Sequence, residues 1–512
     1  MRFSIVIMCI FTFGLVQPAY GQNNLQPTAK LTAQEYVFKA SKGSYISADV
    51  VTNNHTVVNL IDQQGKLIRE VINTGESHAR LHFIAAYDNP KLQFLGAKPE
   101  IKTHRIVSTI EQNSYHKKAQ SELINQAYAQ LKSGETEDNV WDKLIRNNSP
   151  LIEPLGDESV LTFIYRGAKK NVLIFGAPAN DHGWMERLGH SNIWFKSYTV
   201  PNSTRLSYKL APDVPLFAGS RYEQRVALLA TVQRDPTNPN YFPVSDKTKY
   251  NQSSTVELPD ADAQYPKEMT VSTLNPDLSF QLTSTLLKNK RNIKVFRFGD
   301  VTQANAVQLF MFDGLKYLDK VNLHLRLSTL VSQQRLPPIE AVFIDNLDSK
   351  TRAKELPSNP LFTQMLATEL LPIIEQNSPV KFTAQQRVIA GSSFGGIGAT
   401  TTAFRRPDIF GHVISLSGSY WWTDKHGDNS HYYASEKFIQ ATKKPIEFFI
   451  SAGVFESSRD GNKGILDGSR HLRDILTMKG YKVSYKEYAA GHDYFAWQGA
   501  IIDGLQALFP QE

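Results

Sequence analysis

A serine flanked by glycines two places away on each side, at the end of a short apolar run, constrains this chain more than any other feature. Residues 386–397 read Q-R-V-I-A-G-S-S-F-G-G-I. The run 388–390 has the character of a short buried strand that stops at Gly391, and the small residues after Phe394 suit the start of a helix. A nucleophile in such a strand-turn-helix sits on a strained turn where backbone passes backbone, so its neighbours two places away must be small. Only Ser393 has glycine on both sides, Gly391 and Gly395, because the same frame on Ser392 would place Ala390 and Phe394 there. A glycine turn in any α/β protein can give the same five letters. The rest of the chain must therefore supply a base, an acid and an oxyanion hole.

From residue 288 onward apolar strands alternate with helical segments, the pattern of a largely parallel sheet covered on both faces. Strands are predicted at 293–296, 307–312, 340–344, 387–390, 413–416, 446–451 and 483–488, and helices at 315–331, 361–375, 398–405, 468–479 and 495–508. The elbow follows the fourth strand. Ala490-Gly491-His492-Asp493 follows the last, in a loop before a helix, where a preceding glycine lets His492 swing onto the nucleophile as a general base. His412, His426, His431 and His471 lack that placement. The acid belongs between serine and histidine, at a strand end. Glu456 is the first carboxylate after 446–451, with Asp460 and Asp467 as runners-up. The N–H of Phe394 is one oxyanion donor, and the turn Asp313-Gly314-Leu315 offers the N–H of Leu315 as the second. Each of these has a plainer reading: a solvated loop histidine, a surface carboxylate, an ordinary Asp-Gly turn.

Upstream, Met1 and Arg2 precede an apolar run over 3–16 with small residues at 19–21, so residues 1–21 are expected to be a secretory signal peptide. No later stretch approaches about 18 consecutive apolar residues, and no membrane span is expected. The sole cysteine, Cys9, lies in that leader, which leaves no thiol for nucleophilic or metal chemistry. The formal charge of +7 arises without a clustered Lys/Arg tract, which speaks against nucleic acid and is compatible with an anionic substrate. At 512 residues the chain exceeds a single core. Residues 22–110 alternate apolar and polar with turn signals and read as a β-sandwich module, 111–150 as a helical connector, 151–287 as a second sandwich-like domain in which Trp194 is core, and 288–512 as the catalytic domain.

Several stretches carry a resemblance. They are Leu336-Pro337-Pro338, Val342-Phe343-Ile344-Asp345, Arg352-Ala353-Lys354-Glu355-Leu356, Glu369-Leu370-Leu371-Pro372, Ala390-Gly391-Ser392-Ser393-Phe394-Gly395-Gly396, the run from Ser415 to Trp422, and Gly491-His492-Asp493. Together they resemble the esterase D-type branch of the α/β-hydrolases, and most closely the enterochelin (enterobactin) esterases. Asp313-Gly314-Leu315-Lys316 is similar to the mycolyltransferases of that branch, and 160–287 is similar to the N-terminal domain of enterochelin esterases, especially at Trp194 and 234–239. Ser392 stands where that family often has Gln, and the added N-terminal sandwich and leader depart from its cytoplasmic members.

The resemblance implies an α/β fold in which an α/β-hydrolase catalytic domain follows two β-sandwich-like domains. It implies a serine esterase acting on the ester bonds of a catecholate siderophore, an enterobactin-like trilactone free or iron-loaded, in the periplasm and for iron acquisition, with no cofactor and no catalytic metal. Ser393, Glu456 and His492 would form the triad. Arg352 would contact charge or order the site, or else pair with Glu355; Trp421 and Trp422, beside Tyr420, would stack on catechols or simply pack. Two competing readings stand beside this one: a secreted carboxylic or feruloyl-type esterase or acyltransferase using the same triad, and a non-catalytic glycan- or peptide-binding protein.

Overall fold

A computed structural model of the chain describes residues 33–511, apart from 54, 74–75, 109–117, 147–148, 180–182, 216, 218, 247, 425–430 and 458–462. The expected leader, His426 and Asp460 lie outside the described residues.

The two-residue period of the N-terminal stretch places Ile46, Ala48 and Val50 on one face of strand Ser44–Val51, and Leu92 and Phe94 on one face of Lys91–Leu95. These faces share one core with Phe38, Leu60, Leu81 and Phe83. A four-stranded sheet (Gln34–Val37, Lys91–Leu95, Val57–Ile61, Leu67–Ile72) and a three-stranded sheet (His78–Ile84, Ser44–Val51, Glu100–Ser108) form the sandwich. The second sandwich has a five-stranded and a four-stranded sheet closing over Leu161, Phe163, Ile174, Leu206, Tyr208 and Trp194. Trp194 is fully buried, as expected of a core residue.

The two helices expected to be a connector, Glu122–Lys132 and Glu137–Ile145, do more than connect. Their apolar stripes bury Ile124, Ala127, Val140, Trp141 and Leu144 in one cluster with Leu151, Ile164, Leu188, Ile193 and Phe195 of the second sandwich. A further helix, Arg221–Thr231, went unread among the strands. Its signal was present in Ser220-Arg221-Tyr222-Glu223: the Ser220 hydroxyl accepts from Glu223 N–H at 3.2 Å, and the Glu223 carboxylate accepts from Ser220 N–H at 2.9 Å.

The C-terminal half is built on an eight-stranded sheet, whose strands are numbered here in chain order: β1 (Leu278–Ser284), β2 (Asn289–Phe298), β3 (Val307–Met311), β4 (Ile339–Ile344), β5 (Arg387–Ser392), β6 (His412–Leu416), β7 (Glu447–Gly453) and β8 (Lys482–Tyr488). The spatial order is β1-β2-β4-β3-β5-β6-β7-β8, antiparallel at β1-β2-β4 and parallel thereafter. β1 corrects the sequence reading, which left it in the preceding strand-rich region. As an edge strand with one face toward water it alternates like a sandwich strand, and only its pairing with β2 reveals the sheet it joins. Along the parallel strands, side chains alternate between two cores. Phe310, Phe312 and Ile389 pack with Ile397 and Ala403 of the helix Phe394–Arg405, while Leu309, Met311 and Ala390 pack with Trp497, Ile501 and Leu505 of the helix Tyr494–Leu508. Since β3 and β5 to β8 run parallel, the loops leaving them all lie along one edge of the sheet.

Candidate active site

β5 runs into Ser393, whose backbone takes φ 59° and ψ −119°, and the helix Phe394–Arg405 begins at the next residue. A left-handed φ on a non-glycine residue is strained and persists only when its surroundings enforce it. Here they do: a Cβ built on Gly391 would meet Gly395 C and O at 2.6 Å, so the two flanking glycines touch across the turn. The helix starts four residues earlier than predicted, because Gly395, Gly396 and Gly398 lower helix propensity at a site where close approach demands them.

Glu456 ends a short turn, Val454–Glu456, directly after β7, and His492 lies in the loop after β8. The two meet: His492 Nδ1 is 2.5 Å from Glu456 Oε1. The other carboxylate oxygen of Glu456 accepts from the Ser417 hydroxyl at 2.7 Å and from Gly453 N–H at 2.6 Å. Trp497 Nε1 in turn donates to Ser417 Oγ at 3.0 Å, and its ring stands edge-on to the imidazole at 4.8 Å. Glu456 is buried while the imidazole is partly exposed, so a fixed anion holds one nitrogen of a ring that opens to solvent. Among the described residues, Ser393 Oγ is not hydrogen-bonded to His492; its partner at 3.3 Å is Ser419 Oγ. Asp467 lies in the first turn of the helix Ile465–Met478.

The turn after β3 carries Asp313 in a left-handed conformation, φ 54° and ψ 31°, ahead of the helix Gly314–Asp319. No side chain fits at Gly314, where a Cβ would strike the backbone of Phe343 and Ile344. Phe394 and Leu315 each fall in the first turn of a helix, whose N–H groups have no intrahelical acceptor.

Arg352 lies in the helix Ser349–Glu355 and pairs with Asp313, not with Glu355. Nε and Nη2 reach the two carboxylate oxygens at 2.6 Å each, and Nη2 also donates to Ser392 O at 3.1 Å. Glu355 is taken instead by Arg291 at 2.9 Å, with Asn289. In a helix, residues three apart share a face, which made Glu355 the obvious partner from sequence; the tertiary fold sends the two side chains to different neighbours. Arg352 thus ties the turn after β3 to the elbow. Of the three aromatics, Tyr420 is fully buried with its hydroxyl 2.5 Å from Ser415 Oγ, Trp422 packs edge-on against Tyr433 at 5.2 Å, and only Trp421 is exposed, its ring 5.9 Å from that of Phe394.

Ser417, Ser419 and Trp497 were given no role from sequence, and Asp313 only its place in the turn before Leu315. Ser417 and Ser419 lie in the quoted run after β6, where closely spaced small polar residues at a strand end were the available signal. Trp497 is indistinguishable in sequence from the core residues of its helix. Asp493, beside the imidazole, caps that helix through Ala496 N–H at 2.9 Å and accepts Ser207 N–H of the second sandwich at 3.3 Å. Desolvation in this packed junction pushes its carboxyl above the usual range.

A family model described as a putative esterase matches residues 284–508, and one described as the enterochelin esterase N-terminal domain matches 160–266. The iron(III) enterobactin esterase of Dickeya dadantii is 27% identical over 411 residues, covering 72% of this chain and 92% of that protein. That of Escherichia coli K12 is 27% identical over 374 residues, covering 70% and 89%. The enterobactin esterase of Shigella flexneri, crystallised in the presence of enterobactin, superposes with a TM-score of 0.58 at 26% identity, covering 73% of this chain and 98% of that one.

Proposed function

Because this chain belongs to the enterochelin esterase family and is an ester hydrolase, we propose that it hydrolyses the ester bonds of a catecholate siderophore through Ser393, His492 and Glu456. The observation that carries the proposal is the pair of fixed elements at one sheet edge: Ser393 on a strained elbow, and His492 hydrogen-bonded to a Glu456 that Ser417 and Gly453 hold in place.

In this reading Ser393 Oγ turns from Ser419 to the imidazole and gives up its proton to Nε2 as the Oγ–carbon bond to the ester carbonyl forms. Glu456 supports the imidazolium. The N–H groups of Phe394 and Leu315 receive the oxyanion, and Arg352, through Asp313 and Ser392 O, keeps those two donors in register. The ester C–O bond then breaks as His492 gives its proton to the departing serine oxygen of the lactone, and water, deprotonated by His492, releases the acyl group from Ser393. Trp421, exposed beside Phe394, is placed to stack on a catechol ring. The leader-like residues 1–21 support a reaction in the periplasm, where cleavage of the ferric trilactone would loosen the iron and serve its acquisition.

The test is chromatography of products from iron-free and ferric enterobactin, beside a neutral short-chain aryl ester. Linear trimer, dimer and monomer that disappear with Ser393→Ala support the proposal. Turnover of the aryl ester alone would keep the triad and refute the siderophore assignment.

A further inference from the structure

Three parts of the chain meet beside the loop that bears His492, and the cations gathered there outnumber the anions. In the strand Arg205–Pro212, Leu206, Tyr208 and Leu210 point into the second sandwich, so Arg205, Ser207 and Lys209 take the opposite face. Arg205 N–H donates to Ala489 O at 2.9 Å, and Ser207 N–H reaches Asp493, the neighbour of His492. Lys209 comes next on that face, roughly 7 Å further along the strand. Its ammonium donates to Tyr250 O at 2.5 Å.

The N-terminal sandwich, which lies outside the span 160–508 bounded by the family matches, supplies Arg69 to the same place. Its guanidinium lies 4.2 Å from the centre of the Tyr250 ring, with Nη1 and Nη2 on the carbonyls of His82 and Ala230 at 2.8 and 3.3 Å. Its Nε is buried with no partner. Lys249 Nζ is 5.3 Å from the same ring centre. Among the described residues, none of Arg69, Lys209 and Lys249 forms a salt bridge with a carboxylate. Arg234 and Lys320 add positive charge, and Asp246 and Asp319 are the acids that face the group. Like charges gathered without counterions are costly, and burial, reinforced by the neighbouring Lys320 and Arg69, lowers the Lys209 ammonium to about 8. A line of aromatic contacts leads from the group to the catalytic loop: Lys320 over Tyr494 at 5.7 Å, Tyr494 against Trp497 at 5.1 Å, and Trp497 against His492 at 4.8 Å.

We propose that this cluster of Arg69, Lys209 and Lys249 around Tyr250 is a subsite for an anionic aromatic part of the substrate, and that the N-terminal sandwich takes part in recognition through Arg69. The inference rests on the siderophore reading above. A ferric tris-catecholate supplies both properties, since its rings match Tyr250 and its net negative charge balances the cations.

The test uses the full chain carrying Ser393→Ala, so that ligand survives, and follows ferric enterobactin binding by quenching of tryptophan fluorescence. Arg69→Gln and Lys249→Glu should each weaken binding by about tenfold, and Lys249→Arg should restore it. Their dependence on sodium chloride between about 50 and 500 mM should also be shallower than the parent's, a change that a merely loosened sandwich would not produce. Lys249 is exposed, so its replacement does not depend on the sandwich staying docked. Affinity within twofold of the parent for both Arg69→Gln and Lys249→Glu would overturn the subsite while leaving the siderophore reading intact. No binding of ferric enterobactin by the parent, alongside aryl ester turnover by the unsubstituted chain, would instead overturn that reading and this inference with it.

Discussion

Ser417 helps to hold the Glu456–His492 pair without being part of it. Its hydroxyl donates to Glu456 Oε2 and accepts from Trp497 Nε1, so Ser417→Ala removes a hydrogen bond to a buried carboxylate and leaves an indole N–H unpaired. A hydrogen bond to a charged group contributes about 1.5–3 kcal/mol, so kcat should fall by roughly 10- to 100-fold. Little change in KM for a neutral aryl ester, with Ser417→Thr recovering part of the loss, would mark a positioning role. At Asp493 the consequence concerns stability. Its carboxyl binds a proton more readily in the folded chain than in the unfolded one, where the pKa is about 3.9. As the pH falls from 7 towards about 4, the folded state therefore takes up that proton first. Wild type should gain stability relative to Asp493→Asn over that interval, and lose the gain again as the pH rises through the raised pKa. Urea melts of both proteins at the two ends of the interval measure the difference, and a gap that stays constant would refute it.

At the scale of the element, the parts held by local chemistry were the legible ones. The glycine spacing around Ser393 identified the elbow because two backbones must touch there, and the strand-end positions of Glu456 and His492 follow from the order of a parallel sheet. Helix boundaries were less legible where a tertiary demand overrode the pattern. The helix expected over 315–331 is two helices, Gly314–Asp319 and Leu323–Ser332, because Asn322 turns left-handed at φ 52° while the apolar spacing runs on unbroken. The helix expected over 361–375 contains a π turn, Leu366–Leu370, just before Pro372, whose missing N–H cannot continue an ordinary ladder. The link between the turn after β3 and the elbow was illegible, since Arg352 and Asp313 are far apart in sequence and a nearer carboxylate, Glu355, stood in the way. Arg352→Gln should leave the buried Asp313 carboxylate without its cation, with Asn346 as a remaining side-chain donor, and cost about 3–5 kcal/mol, read as a lower urea midpoint together with a fall in kcat. A stability equal to wild type would mean that Asp313 finds another partner.

Across the whole molecule the modules do not hang from one another as beads. The second sandwich grips the loop that bears His492 at Ala489 and Asp493, the paired helices complete its core, and the N-terminal sandwich docks against it through Tyr45 stacked on Phe217 at 5.7 Å. Such junctions leave no periodic trace in sequence, which is why the alternation of 22–110 and 151–287 gave sandwiches but not their mutual placement. Among the described residues no helix is long and apolar enough to cross a membrane. If Ser393 is the nucleophile that this assembly presents, a fluorophosphonate should add once to the full chain, and peptide mass mapping should find the adduct at Ser393. The account predicts that Ser393→Ala abolishes labelling and that His492→Ala slows it by about a thousandfold or more. Labelling at Ser392, or an unmodified Ser393 peptide beside an active enzyme, would contradict it.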